Sequence, residues 1–67
     1  MNIEVGKEYL VNHCRKGKFR LLVSSVSEEW VSGIITKGMA RAVLSYNEVK
    51  QGEEITIRRS HCVFSEV

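Results

Sequence analysis

Two dipeptides, His13-Cys14 and His61-Cys62, hold every histidine and cysteine of the chain. Imidazole and thiolate groups are common zinc ligands, so two of each could in principle complete a tetrahedral site. Zinc fingers separate the two ligands of a pair by about two to four residues. Here they are adjacent, and adjacent side chains on a strand point to opposite faces. We therefore expect no metal and no cofactor, and interpret the four residues as packed thiols and ordinary histidines.

Four cationic residues lie close together in the first third of the chain. They are Arg15, Lys16, Lys18 and Arg20, with no acidic residue among them. Lysine and arginine neutralise the phosphates of nucleic acids and release their counterions. The segment is therefore predicted to contact phosphates or an acidic protein surface. The alternative is a solvated hairpin loop that keeps the domain in solution.

A second basic pair, Arg58-Arg59, lies near the other end of the chain. Adjacent strand residues face opposite sides, so only one of the two can join a given surface. Arg59 shares the parity of Ile55 and Ile57, which we expect to face the core. Because an unpaired buried arginine is costly, we expect a bend near Ser60 that turns Arg59 outward. Pairing of the last strand with the first would bring both arginines near the first basic segment.

Three aromatic residues are candidates for a binding surface, because bases of single-stranded nucleic acid stack on exposed rings beside positive charge. Phe19 lies between Lys18 and Arg20, but its alternation with apolar neighbours predicts a core position. Trp30 follows two glutamates, which disfavours a phosphate nearby and leaves it as a core residue or the anchor of a protein interface. Tyr46 is the best candidate for an exposed stacking ring.

The signatures of an enzyme are missing from the sequence. All eight acidic residues are glutamates, and the chain holds no phosphate-binding glycine motif, nucleophile elbow or metal-binding box. A cysteine beside a histidine can act as a nucleophile, but the sequence offers no group to stabilise an oxyanion. We expect a binding protein rather than an enzyme.

Length and composition describe one globular domain covering residues 1–67. The net charge is only +2 with 43% hydrophobic residues, which excludes a strongly basic nucleic-acid clamp. No apolar run approaches the roughly 20 residues of a membrane span. The first residues lack the basic start and apolar core of a signal peptide, so we expect a cytoplasmic protein with reduced thiols and no membrane partner. A domain of this size buries little surface, which leaves a homo-oligomer as an open alternative.

Alternation of apolar and polar residues with period two predicts an all-β domain. The predicted strands cover residues 8–14, 19–26, 30–36, 39–44, 53–59 and 61–67. In the last of these, Val63 and Phe64 are expected to anchor the strand to the core. Lys37-Gly38 predicts a hairpin, since glycine supplies the positive φ that such a turn needs. Ser45 to Lys50 is predicted as a single helical turn, because Ser45 and Glu48 have the spacing of a capping box.

Five or six short strands and one helical turn before the last strands predict a small, closed or nearly closed barrel, which would leave no sheet edge exposed. This order resembles the SH3-like small barrels, including the KOW-type and Sm-like modules. The polar loop 15–18, the hairpin 37–38 and the turn 45–50 carry the resemblance. It implies a fold and leaves the function open.

The basic segment and the resemblance together favour a small nucleic-acid-binding or regulatory module. Its predicted binding residues are Arg15, Lys16, Lys18, Arg20, Arg58 and Arg59, with Tyr46 and Trp30 as stacking or interface rings. The near-neutral net charge and Trp30 favour an alternative, a protein–protein interaction module or inhibitor such as a phage- or plasmid-type accessory protein.

Overall fold

The described residues form five antiparallel strands in one sheet, which confirms the predicted all-β class. A computed structural model describes residues 2–40 and 48–67. The strands are β1 (Glu8–His13), β2 (Gly17–Val26), β3 (Trp30–Gly38), β4 (Glu54–Arg58) and β5 (Cys62–Glu66). A three-residue 3₁₀ turn, Arg59–His61, joins β4 to β5 and is the one helical element of the described part.

The hydrogen-bonded order of the sheet is β4-β3-β2-β1-β5. The first four strands follow each other as a meander, and the last strand returns to pair with the first. Val11 of β1 thus faces Phe19 of β2 on one side and Phe64 of β5 on the other. Among the described residues, strands β4 and β5 form the two edges and do not pair with each other, so the predicted barrel closure is not confirmed.

One face of the sheet carries the core. Alternate residues of four strands are buried, together with Ala40: Tyr9, Val11, Phe19, Leu21, Val23, Val31, Ile35, Ile55 and Ile57. Side chains from β4 and β1, which lie far apart in the strand order, belong to the same core cluster. The sheet therefore curls around its apolar face. Burial of one such side chain stabilises the fold by about 1.5–3 kcal/mol.

Strands β2 and β3 leave no room for a side chain at Gly33. A Cβ atom added there would lie 2.3 Å from the carbonyl oxygen of Leu22 and 3.0 Å from the Leu21 side chain. The pairing between β2 and β3 also shifts register next to this point, between Val23 and Ser25. Only glycine fits here without displacing the backbone of β2.

Two sequence predictions concern the segment between β3 and β4. Residues 41–47 lie outside the described residues, and with them most of the predicted strand 39–44 and the start of the predicted turn 45–50. Val49 forms an antiparallel bridge with Ala40, so the helical turn predicted to reach Lys50 does not include Val49. The 3₁₀ turn lies later in the chain, at the position where a bend near Ser60 was predicted.

Of the two residues expected to anchor β5, Phe64 packs against the core and Val63 does not. Val63, expected to anchor this strand, is 65% exposed, because inward positions alternate and are taken by Cys62 and Phe64. The Phe64 ring meets the Tyr9 ring edge to face, with centroids 6.3 Å apart. Within the described ranges, no helix has the length and apolar character needed to cross a membrane.

Candidate functional site

A cleft of about 310 Å³ lies between the turn that joins β1 to β2 and the outer edge of β4. We call it the basic cleft. Its walls come from four parts of the chain: the end of β1 with the following turn, the first residue of β3, the end of β4, and the 3₁₀ turn. The lining residues are His13, Arg15, Lys16, Trp30, Thr56, Ile57, Arg58 and His61.

Within the part of the chain that the structure describes, every ionisable side chain that lines the basic cleft is basic. Arg15 and Arg58 are exposed, Lys16 is half-buried, and no glutamate is among the lining residues. Arg58 therefore joins the surface of Arg15 and Lys16, as the sequence predicted for one member of the Arg58-Arg59 pair. Three permanent positive charges around one cleft attract anions, because nothing in its walls neutralises them.

His13 holds the β1–β2 turn from inside. Its side chain is buried, and its Nδ1 atom accepts hydrogen bonds from the backbone N–H groups of Arg15 at 3.1 Å and Lys16 at 3.2 Å. An imidazole that accepts at Nδ1 is neutral and carries its proton on Nε2. Burial, reinforced by the charges of Lys16, His61 and Arg15, lowers the pKa of His13 below its usual value.

His61 connects the 3₁₀ turn to the end of β1 and to the β1–β2 turn. Its carbonyl oxygen accepts a hydrogen bond from the backbone N–H of Cys14 at 3.0 Å. Its ring stands edge to face against His13, and His13 pairs with Cys62 in the β1–β5 ladder. The β1–β2 turn and the 3₁₀ turn are thereby fixed to each other, which sets the spacing between the cations on the two walls.

Trp30 forms the aromatic part of the cleft. Its side chain is 42% exposed, and the guanidinium carbon of Arg58 lies 4.8 Å from its ring centroid. The two residues are direct partners in the β3–β4 ladder, so the backbone itself places the cation over the ring. Ser27 fixes the start of β3, since its hydroxyl accepts the N–H of Trp30 at 3.1 Å.

Two of the predicted binding residues, Lys18 and Arg20, lie elsewhere. They line a second depression with Lys37, on the outer face of the sheet. Arg20 also forms an ion pair with Glu8 at 3.6 Å, so part of its charge is compensated. The predicted basic segment is therefore divided between two surfaces, because positions 15–16 belong to a turn and positions 18 and 20 to the polar face of β2.

Arg59 is turned away from the core, as predicted, but it is not a lining residue of the basic cleft. Its guanidinium donates to the carbonyl oxygen of Ser27 at 3.2 Å, and its backbone N–H donates to the carbonyl oxygen of Glu29 at 2.8 Å. Both contacts tie the 3₁₀ turn to the turn between β2 and β3. Arg59 thus has a structural role, and its predicted place in a binding surface receives no support from these contacts.

The other aromatic predictions have different outcomes. Phe19 is buried in the core, as its alternation indicated. Tyr46 lies outside the described residues. The sequence allowed two interpretations of Trp30, a core residue or the anchor of a protein interface. The structure places its side chain at the surface. Glu28 and Glu29 precede Trp30 in the chain, but neither lines the basic cleft.

The two cysteines are free thiols. Cys14 is exposed, whereas Cys62 is half-buried and donates a hydrogen bond to the carbonyl oxygen of Arg58 at 3.3 Å. Burial, with a smaller effect of Cys14, raises the pKa of the Cys62 thiol to about 11. In the described part of the chain, no three His, Cys, Asp or Glu residues are grouped so that they could hold a metal ion.

Sequence reasoning missed the part that both histidines play in the cleft. Their signal was the repeated His-Cys dipeptide, which marks two positions that face each other across the β1–β5 ladder. It missed Thr56 as well, whose exposure on β4 gives no local sign of a cleft. Comparisons of the chain with protein-family models, with curated proteins and with solved structures gave no match.

Proposed function

We propose that this protein is a non-enzymatic nucleic-acid-binding module and that the basic cleft is its binding site. One observation carries the proposal: Arg15, Lys16 and Arg58 converge on a cleft that also holds an exposed tryptophan and no acidic side chain. Cations supply the affinity for phosphates, and an aromatic ring supplies a surface for bases.

The small net charge is compatible with this function, because salt screens distant charges and a bound ligand is attracted mainly by the charges close to it. The acidic residues that offset the ten cations lie mostly elsewhere, as shown by the Lys7–Glu4 and Arg20–Glu8 ion pairs. A ligand in the basic cleft meets three cations within one small volume. Affinity should therefore be modest and strongly dependent on salt.

We also propose that the curled sheet is an SH3-like small barrel. The meander of four strands, the 3₁₀ turn after the fourth, and the return of the fifth strand to the first support this interpretation. The curvature that brings β4 and β1 to one core supports it too. The proposal concerns architecture, and the function rests on the cleft alone.

A protein–protein interaction module or inhibitor is the second candidate. The exposed Trp30 supports it, since tryptophan is enriched at the centres of protein interfaces. An acidic protein surface would suit the same three cations. The two candidates differ in what they require: a nucleic acid engages cations along a phosphate backbone, whereas a protein interface depends mainly on a buried apolar contact.

Two double charge reversals test the proposed site. Arg15→Glu with Lys16→Glu changes the basic cleft, and Lys18→Glu with Lys37→Glu makes the same change in charge on the second depression. Binding of a fluorescent oligonucleotide is measured by anisotropy over a series of salt concentrations. The cleft variant should lose about tenfold or more in affinity, and its log–log salt slope should flatten by about 0.7–0.9 for each lost phosphate contact.

The second double variant is the control, because it alters net charge equally while leaving the cleft intact. It should keep most of the affinity of the parent. Equal losses in both variants would show a diffuse electrostatic attraction without a site at the cleft. No oligonucleotide binding by the parent protein at low salt would overturn the proposed function and favour the protein-interaction alternative.

A further inference from the structure

We infer that the basic cleft takes single-stranded nucleic acid, with one base stacked on the Trp30–Arg58 pair and the adjoining phosphates held by Arg15 and Lys16. This inference rests on the proposed function and narrows it to one class of ligand. It is carried by the exposure of the Trp30 ring, its contact with Arg58 and the position of the two other cations.

The exposure of Trp30 sets it apart from the other aromatic residues that the structure describes. Tyr9 and Phe19 are buried at 1% and 2% exposure, and Phe64 is packed against the core, whereas Trp30 is 42% exposed. Proteins that bind single-stranded nucleic acid stack its bases on exposed aromatic rings beside positive charge. The Trp30 ring, with three cations around the same cleft, has this arrangement.

The platform is held in place by the sheet rather than by a loop. Trp30 and Arg58 are paired residues of β3 and β4, and the guanidinium carbon lies 4.8 Å from the ring centroid. On the same strands, the hydroxyls of Ser32 and Thr56 are 2.8 Å apart. A guanidinium plane and an indole ring both stack on bases, so either member of the pair offers a base a flat contact.

The size of the cleft fits a small part of a nucleic acid. A volume of about 310 Å³ lies at the lower end of the range of roughly 300–1,000 Å³ for small-ligand sites. Such a volume suits one base with its sugar, while phosphates on either side reach Arg15 and Lys16 on the opposite wall.

A duplex cannot use this arrangement, because its base faces are covered by neighbouring pairs. Only unpaired bases present a face to an aromatic ring, and duplex binding would engage the cations alone. Stacking accepts any base, so we expect little sequence preference.

Intrinsic fluorescence tests the stacking directly, because Trp30 is the one tryptophan of the chain. The native protein is titrated with oligothymidylate and, separately, with a duplex of the same length. We expect the single strand to quench the Trp30 emission saturably and to bind more tightly than the duplex. Quenching should follow the same isotherm as the anisotropy of the labelled strand.

Two variants separate stacking from charge. In Trp30→Phe a ring remains, and affinity for the single strand should fall less than about threefold. In Trp30→Leu the ring is lost, and affinity should fall by about 5- to 140-fold, since one stacked base contributes about 1–3 kcal/mol. Circular dichroism melting shows whether each variant is folded at the temperature of the binding assay.

The outcomes distinguish the two proposals. Equal binding of single strand and duplex, without quenching of Trp30, would overturn the stacking inference and leave the nucleic-acid-binding function in place. Equal affinities of the Phe and Leu variants would overturn it as well. If neither nucleic acid binds, the proposed function itself fails.

Discussion

His13 and His61 meet edge to face, with ring centroids 5.9 Å apart and planes at 87°. One ring is buried at the end of β1, and the other belongs to the exposed 3₁₀ turn. The contact joins the two walls of the basic cleft at its base. Protonation of His13 would therefore disturb the β1–β2 turn and also change the distance between that turn and Arg58.

The first prediction is that stability falls as the pH is lowered from about 7.5 to about 5.5. The pKa of His13 is depressed by burial and by nearby cations, whereas an unfolded histidine titrates near its usual pKa of about 6.5. The unfolded state therefore binds the proton more readily, and its population grows as pH falls through this range. Melting temperatures measured by circular dichroism at several pH values test this.

His13→Asn is the variant for this prediction, since an amide oxygen can accept from the turn without titrating. Its melting temperature should change less with pH than that of the parent, because the variant lacks the buried imidazole whose pKa is lowered. His61→Asn, which leaves the buried imidazole in place, should keep most of the pH dependence. A parent protein whose melting temperature is flat between these pH values would contradict the prediction.

The second prediction concerns the reactivity of the two thiols. At about pH 8 a thiol with a pKa of about 11 is almost wholly protonated, and the thiolate is the reactive form. Iodoacetamide should therefore modify the exposed Cys14 at least about tenfold faster than Cys62 in the folded protein. Mass spectrometry of digested time points gives both rates. In denaturant the two rates should become similar, and equal rates in the folded state would be inconsistent with the burial of Cys62.

The third prediction is that Gly33→Ala destabilises the fold. The added methyl would lie 2.3 Å from the Leu22 carbonyl oxygen, so β2 and β3 must separate locally. Forced displacement of this kind costs about 1–3 kcal/mol. Urea denaturation followed by circular dichroism measures the loss. Ser65→Ala, at an exposed position of β5, is the control and should change stability by less than about 0.5 kcal/mol.

The fourth prediction assigns different roles to the neighbouring residues Arg58 and Arg59. Arg58→Ala should weaken oligonucleotide binding with little effect on the melting temperature, because Arg58 is exposed over Trp30 in the cleft. Arg59→Ala should lower stability by about 0.5–1.5 kcal/mol through loss of its hydrogen bond to Ser27, with affinity nearly unchanged. The opposite pattern would place the binding surface on the side of Arg59.

Much of the strand layout was predictable because one face of the sheet is buried. The alternation of Tyr9, Val11 and His13, and of Phe19, Leu21 and Val23, sets which side of each strand faces the core. The same argument failed at Val63, because the bend that restarts the alternation at Cys62 depends on the 3₁₀ turn. That turn is tied to the turn between β2 and β3 by the backbone N–H of Arg59, which donates to the carbonyl oxygen of Glu29, and no local sequence signal indicates this contact.

The candidate site was predictable only in part. Arg15, Lys16, Arg58 and Trp30 were recognised by residue type, yet nothing in the sequence indicated that Trp30 pairs with Arg58. That relationship depends on the β3–β4 register, which brings together residues 28 positions apart. The buried role of His13 required knowledge of the turn that it supports, since its hydrogen bonds are made to backbone atoms.

The pairing of β1 with β5 brings together residues 49 to 57 positions apart, whereas β1 and β2 are joined by a short turn. Closing so long a loop costs more conformational entropy, so we expect this ladder to form late during folding. Until this ladder forms, Arg15 and Lys16 belong to the β1–β2 hairpin, and His61 does not yet lie near them. Under the proposed function, the basic cleft would be complete only after this late step, and a bound oligonucleotide would favour the fully folded state.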